Sequence, residues 1–108
     1  MNAEIHPREA QALLEGGDAV ALDVREPYEW HHGHIRDALH IPLGEIGRRL
    51  HELPPGKRIV AVCRSGNRSG AVIAPLRQLG YEVLNLSGGL LSWHASGLPL
   101  EPATGGVA

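Results

Sequence analysis

Phenylalanine is absent from this chain, and cysteine and methionine occur once each among 108 residues. A lone cysteine cannot close an internal disulfide, so a reducing cytoplasm is the expected compartment. Like charges nowhere form a run and the formal net charge is -2, which argues against a nucleic-acid surface. No apolar stretch approaches the ~20 residues of a membrane span. The opening Met1-Asn2-Ala3-Glu4 has neither the basic nor the apolar region of a signal peptide, so none is expected. With aromatics at 4%, the apolar content is chiefly Leu, Val, Ile and Ala. That composition suits a β-sheet covered by short helices.

The length is enough for one domain and short for two. A chain of this size buries roughly 65% of its unfolded surface and needs no disulfide or metal staple. Fourteen glycines and eight prolines imply many turns without disorder. "HPREAQALLEGG" reads as a helix, with Pro7 at its first position, Ala10, Leu13 and Leu14 at helical spacing, and Gly16-Gly17 as the stop. "AVALDV" (19–24) and "RIVAVC" (58–63) are continuous apolar runs, as in strands buried on both faces of a parallel sheet. "EPYEW" is a short helical turn, "ALHIPL" a strand stopped by Pro42, and "LGEIGRRLHEL" a helix weakened by Gly47. "SGAVIAPLRQLG" reads as a helix kinked at Pro75, which cannot donate to Ala71. "YEVLNL" is a further strand and "GGLLSWHASG" a closing helix. The domain is placed at residues 1–99, with a loose tail over 100–108.

Strands and helices in this alternation imply a mainly parallel sheet with helices on both faces. Ligands of such folds bind outside the carboxyl ends of the strands, and Cys63 lies at the carboxyl end of the strongest one. The loop that follows, Arg64-Ser65-Gly66-Asn67-Arg68-Ser69, has no β-branched residue. Gly66 and Asn67 tolerate positive φ, so the loop can curl with its amides pointing inward. A helix beginning near Arg68 or Ser69 adds unpaired N–H groups and the positive end of its dipole. Arg64 and Arg68 add two charges, so an anion is welcome at the centre. Thiolate is such an anion, and Cys63 is expected to be largely ionised at neutral pH. A buried, inert thiol is the plainer alternative; it accounts for the four residues before Cys63 and for nothing after it.

Two chemistries use a thiolate in an amide cradle, attack on phosphorus and attack on sulfane sulfur. Cysteine phosphatases place five residues between Cys and Arg, whereas this chain places four before Arg68. A terminal sulfur needs a smaller ring of amides than a phosphate with three oxygens, so sulfur is favoured.

The chain resembles the rhodanese family, in particular its single-domain bacterial sulfurtransferases. "LDVREPYEWHHGHIRDALHIPL" (22–43) resembles the upstream signature, "VCRSGNRS" the active loop, and "GYEVLNLSGGLLSWHASGLP" (80–99) the closing segment. Arg36-Asp37 stands where other members have Pro-Gly. The resemblance implies a three-layer α/β/α domain around a five-stranded parallel sheet. It also implies that Cys63 carries sulfur, that the amides of Arg64, Ser65, Gly66, Asn67, Arg68 and Ser69 cradle it, and that Arg64 and Arg68 steer an anionic donor. The expected reaction moves sulfane sulfur from thiosulfate or a related persulfide through a Cys63 persulfide to an external thiol or protein acceptor. A non-catalytic interaction or carrier module and a phosphatase or arsenate reductase are the competing readings.

Asp23 and Arg25 are read either as an ion pair bracing the loop or, for Arg25, as a substrate contact. Glu26 and Glu29 read as solvated or helix-capping. His31, His32 and His34 lack an acidic or thiol partner at ligand spacing, so no metal is expected, and no cofactor is called for. Trp30 and Trp93 read as packing residues that form no stacking platform. A monomer or weak homodimer, away from nucleic acid and membrane, is expected.

Overall fold

Five parallel strands in the order β1-β5-β4-β2-β3 form the sheet of the computed structural model, which describes residues 3–108. The strands are β1 (Glu4–Ile5), β2 (Ala19–Asp23), β3 (Leu39–His40), β4 (Arg58–Val62) and β5 (Val83–Leu86). The helices are α1 (Pro7–Glu15), α2 (Pro27–His32), α3 (Asn67–Gln78) and α4 (Gly89–Ala95). Among the described residues no helix is long and apolar enough to cross a membrane.

The period-2 alternation of strand side chains divides the core. Val60 and Val62 of β4 join Ala10 of α1 and Leu90 and Trp93 of α4 on one face. Ile59, Ala61 and Cys63 join Val72, Ile73 and Leu76 of α3 on the other. β4 is the central strand, and four of its five residues are buried. The continuous apolar runs are therefore required on both faces, which is the three-layer arrangement expected.

Several expectations need correction. "LGEIGRRLHEL" does not form a helix but two 3-10 turns, Leu43–Glu45 and Leu50–Glu52. Gly44 and Gly47 each lower helix stability by about 1 kcal/mol. Leu43, Ile46 and Leu50 are only partly buried against the core, so packing does not make up the loss. The strand expected over "ALHIPL" is regular only at Leu39 and His40, beyond which Ile41 N–H and Leu43 N–H still donate to the Asp23 and Val24 carbonyls at 3.0 Å. Helix α3 continues past Pro75, whose ring is exposed on its outer side; water can solvate the Ala71 carbonyl there. β1 has no counterpart in the sequence reading, because two residues carry no periodicity. It adds to β5 with Glu4 opposite Asn85 and Ile5 opposite Leu86.

Residues 100–108 are held against the domain. Leu98 and Leu100 are buried, and His34 and Glu101 exchange both backbone hydrogen bonds, at 3.0 and 2.7 Å. Gly106 N–H donates to the His32 carbonyl at 3.0 Å. Looseness is the expectation for a segment with little to bury, whereas Leu100 and Val107 pack against the core and backbone hydrogen bonds add to the attachment.

Candidate active site

Cys63 leaves β4 directly into a turn that ends at α3. Gly66 just before α3 has φ 103°, in the left-handed region, where a side chain would be strained. The carbonyls on the other side of the turn are taken by α4: Leu90 N–H donates to Cys63 O at 2.9 Å and Leu91 N–H to Arg64 O at 3.0 Å. Gly89 allows this approach, since a Cβ there would lie 2.5 Å from Arg64 O and 2.6 Å from Cys63 O. With its carbonyls engaged outside, the loop keeps its amides for the sulfur.

The sulfur uses them. Gly66 N–H donates to Cys63 Sγ at 3.0 Å, and Ser69 Oγ lies 3.2 Å away. Cys63 is 1% exposed, so its Cβ side belongs to the apolar core while Sγ faces polar donors. Burial pushes the thiol up; the Ser69 hydroxyl and the amides of Ser69, Gly66 and Ser65 push it down and prevail, leaving it below the ordinary thiol value. Ser69 is fully buried, whereas Arg64, Ser65 and Asn67 form an exposed rim.

The two arginines, both expected to steer a donor, are held in different ways. Arg68 is bound in parallel by Glu29, Nη1 to Oε1 at 2.7 Å and Nη2 to Oε2 at 2.8 Å. This fork-on-fork geometry commits the guanidinium to the carboxylate. Arg64 extends over the surface and places Nε 2.8 Å from Ala108 O. Glu29, read as solvated or capping, does cap: it forms a reciprocal box with Glu26 at the start of α2. It is only 3% exposed, however. The Arg68 hydrogen bonds hold its carboxyl below the usual range against the opposing effect of burial.

Asp23 and Arg25 form an ion pair, and Arg25 is 0% exposed, which removes the reading of Arg25 as a direct substrate contact. Its Nη2 lies 2.8 Å from Asp23 Oδ2 and 2.8 Å from Gly33 O, and its Nη1 lies 3.3 Å from Glu29 O. The pair therefore grips α2 and the turn after it, and α2 in turn supplies the carboxylate that holds Arg68.

Asn85 was missed by sequence reasoning. It hydrogen-bonds both Ser69 and the Gly66 carbonyl; a polar residue within the apolar run "VLNL" was the available signal. Trp30 also departs from expectation. It stacks on His34 at 3.7 Å between centroids and on His40 at 4.7 Å, with near-parallel rings. His34 and His32 each place Nδ1 2.9 Å from a backbone carbonyl, of Trp30 and Tyr28. Among the described residues no three His, Cys, Asp or Glu side chains converge as a metal site.

A parallel α/β sheet with a cysteine set in an amide loop at its carboxyl edge defines a class of cysteine-centred α/β domains. Within it, residues 6–96 match the model of the Rhodanese-like domain, and the chain belongs to that family. It is 41% identical over 97 residues to a protein named sulfurtransferase from Allochromatium vinosum, covering 89% of this chain and 91% of that one. It is 32% identical to the thiosulfate sulfurtransferase GlpE of Actinobacillus pleuropneumoniae, covering 93% and 94%. A crystal structure of a rhodanese-related protein from Thermoplasma volcanium superposes with a TM-score of 0.84 at 32% identity, over 90% of this chain and 95% of that one. Other relatives are longer, and the chain spans 55% and 39% of two of them.

Proposed function

We propose that this protein is a sulfurtransferase that carries sulfane sulfur as a persulfide on Cys63. The observation that carries the reading is the polar cradle at Sγ, with the Gly66 amide at 3.0 Å and the Ser69 hydroxyl at 3.2 Å. The Cys63 thiolate attacks the outer sulfur of thiosulfate or a related persulfide. A new S–S bond forms, the donor's S–S bond breaks, and sulfite or a thiolate leaves with the electron pair. An external thiol or protein nucleophile then takes the outer sulfur and returns Cys63 as thiolate. The negative charge never leaves the cradle, so the same dipoles serve both steps. No general base is needed for a nucleophile that is already ionised.

The depth of Cys63 supports a donor whose reacting atom is terminal and small. A phosphorus carrying three oxygens fits a 1% exposed sulfur poorly. With one cysteine in the chain, the persulfide has no internal thiol to attack it, which makes the acceptor external. A reducing cytoplasm is the matching compartment.

Incubation with thiosulfate, followed by intact-mass measurement, should show one sulfur atom added to the protein and none added to Cys63→Ser. Thiosulfate:cyanide transfer by the same variant should be abolished. Retained transfer without Cys63 would end the proposal, and a phosphate-sized adduct from a phosphate ester would replace it with phosphatase chemistry.

A further inference from the structure

Asn85 sits in β5 at 4% exposure, opposite Ala61 of β4 and on the sheet face covered by α3. A buried amide must be fully hydrogen-bonded to be tolerated. Its Nδ2 donates to the Gly66 carbonyl at 2.9 Å, and its Oδ1 lies 2.6 Å from Ser69 Oγ. The Gly66 carbonyl fixes which way round the amide stands, because only the NH2 end can face an acceptor. Oδ1 must therefore face Ser69. That same hydroxyl lies 3.2 Å from Cys63 Sγ. Ser69 thus has two acceptors and a single proton to donate.

We propose that Asn85 is a positioning residue that competes with Cys63 for the Ser69 proton and thereby keeps the resting sulfur more nucleophilic than the amide cradle alone would leave it. The inference rests on the reading of Cys63 as the reactive group. With Cys63 as thiol, S–H donates to Ser69 Oγ and Ser69 donates to Asn85 Oδ1, so each group is partnered. With Cys63 as thiolate, the Ser69 proton turns to the sulfur and Asn85 Oδ1 loses its donor in a buried setting. Asn85 therefore opposes ionisation, against the loop that favours it. A thiolate that forms too easily is a weak nucleophile, and attack is fastest when its pKa lies near the ambient pH.

The charged groups around Cys63 are Arg64 in the loop, Arg68 of α3 with Glu29 of α2, and the Asp23–Arg25 pair at the end of β2. Each has a partner of its own. What β5 presents toward Ser69 is the neutral Asn85.

The test is the pH dependence of alkylation by iodoacetamide, a neutral reagent, in the intact protein, in Asn85→Val, in Ser69→Ala and in the double variant. Asn85→Val should lower the Cys63 midpoint by about one pH unit and slow alkylation about threefold above both midpoints. In the Ser69→Ala background the same change should not lower the midpoint. A raised midpoint in the presence of Ser69, or an equal shift in both backgrounds, would overturn the proposal. A measurement on the unaltered chain covers the case of a variant that does not fold: the Asn85 side-chain amide resonances should titrate with the Cys63 midpoint. Resonances that stay flat through that midpoint would overturn it as well. Alkylation uses no sulfur donor, so failure to load sulfur would sink the proposed function and leave this coupling standing.

Discussion

Two neighbouring strands leave the sheet at the same edge, with Asp23 of β2 opposite Val62 of β4, and they handle charge in opposite ways. The exit from β2 carries Asp23, Arg25 and Glu29, all buried and all ionically paired. The exit from β4 carries Cys63, Gly66 and Ser69, with dipoles in place of fixed charge at the sulfur. A permanent buried charge needs a permanent partner, and such a pair cannot respond to a new anion. A ring of amides is neutral when idle and stabilises an anion when one forms. The first exit is built to hold a shape, the second to receive charge.

Breaking the first exit should have the larger effect. Arg25→Met leaves Asp23 buried without its partner, and the carbonyls of Glu29 and Gly33 lose a donor. Removing one partner of such a pair costs about 3–5 kcal/mol, a large share of a domain's net stability of roughly 5–15 kcal/mol. Urea denaturation should register that loss. The double variant Asp23→Leu, Arg25→Met should recover part of it, because no orphan charge remains, though the two carbonyls stay unpaired. Full recovery would show that the pair's reach to α2 contributes nothing.

Glu29→Gln tests the strut between the two exits. It should cost about 1–3 kcal/mol, moderated by solvent because the Arg68 side chain is 36% exposed. The pH dependence follows from the depressed carboxyl of Glu29. Its contribution is complete above the unfolded carboxyl value of about 4.3 and fades as pH falls through the lower folded value. The stability gap between the natural chain and the variant should be constant from neutrality to about pH 5 and close in more acidic solution. A gap that widens on acidification would contradict the pairing.

The buried central strand and the cysteine loop were legible because each leaves a strong local mark. An apolar run such as Ile59-Val60-Ala61-Val62 has few ways to be buried other than mid-sheet, and a glycine-bearing turn at its end exposes amides. The Asp23–Arg25 pair was half legible, since alternation put both side chains at one strand exit but could not say whether substrate or protein met the guanidinium. Glu29 and Asn85 were not assigned a role at the sulfur. Their function depends on partners 39 and 16 residues away in the chain, and no local spacing encodes such a meeting. The 3-10 turns over 43–52 were misread for a related reason, because helical spacing was present while the burial needed to sustain a helix was not.

The smallest effect expected is at Arg64, and it separates steering from scaffolding. Arg64 lies exposed on the rim with Nε on Ala108 O, whereas the charge of Arg68 is largely offset by Glu29. If the second exit meets its donor through free charge at all, Arg64 is where that charge resides. Arg64→Ala should leave stability within about 0.5 kcal/mol and lower kcat/KM for thiosulfate only several-fold, because exposed charges attract weakly through water. Added salt should shrink the difference, since ions at 0.1 M screen exposed charges beyond about 10 Å. Alkylation by a neutral reagent should be unchanged, because the sulfur is held by Gly66 and Ser69 rather than by the guanidinium. A variant that lost alkylation as well would place Arg64 in the cradle itself, and the contrast between charged scaffold and dipolar receptor would then fail at its rim.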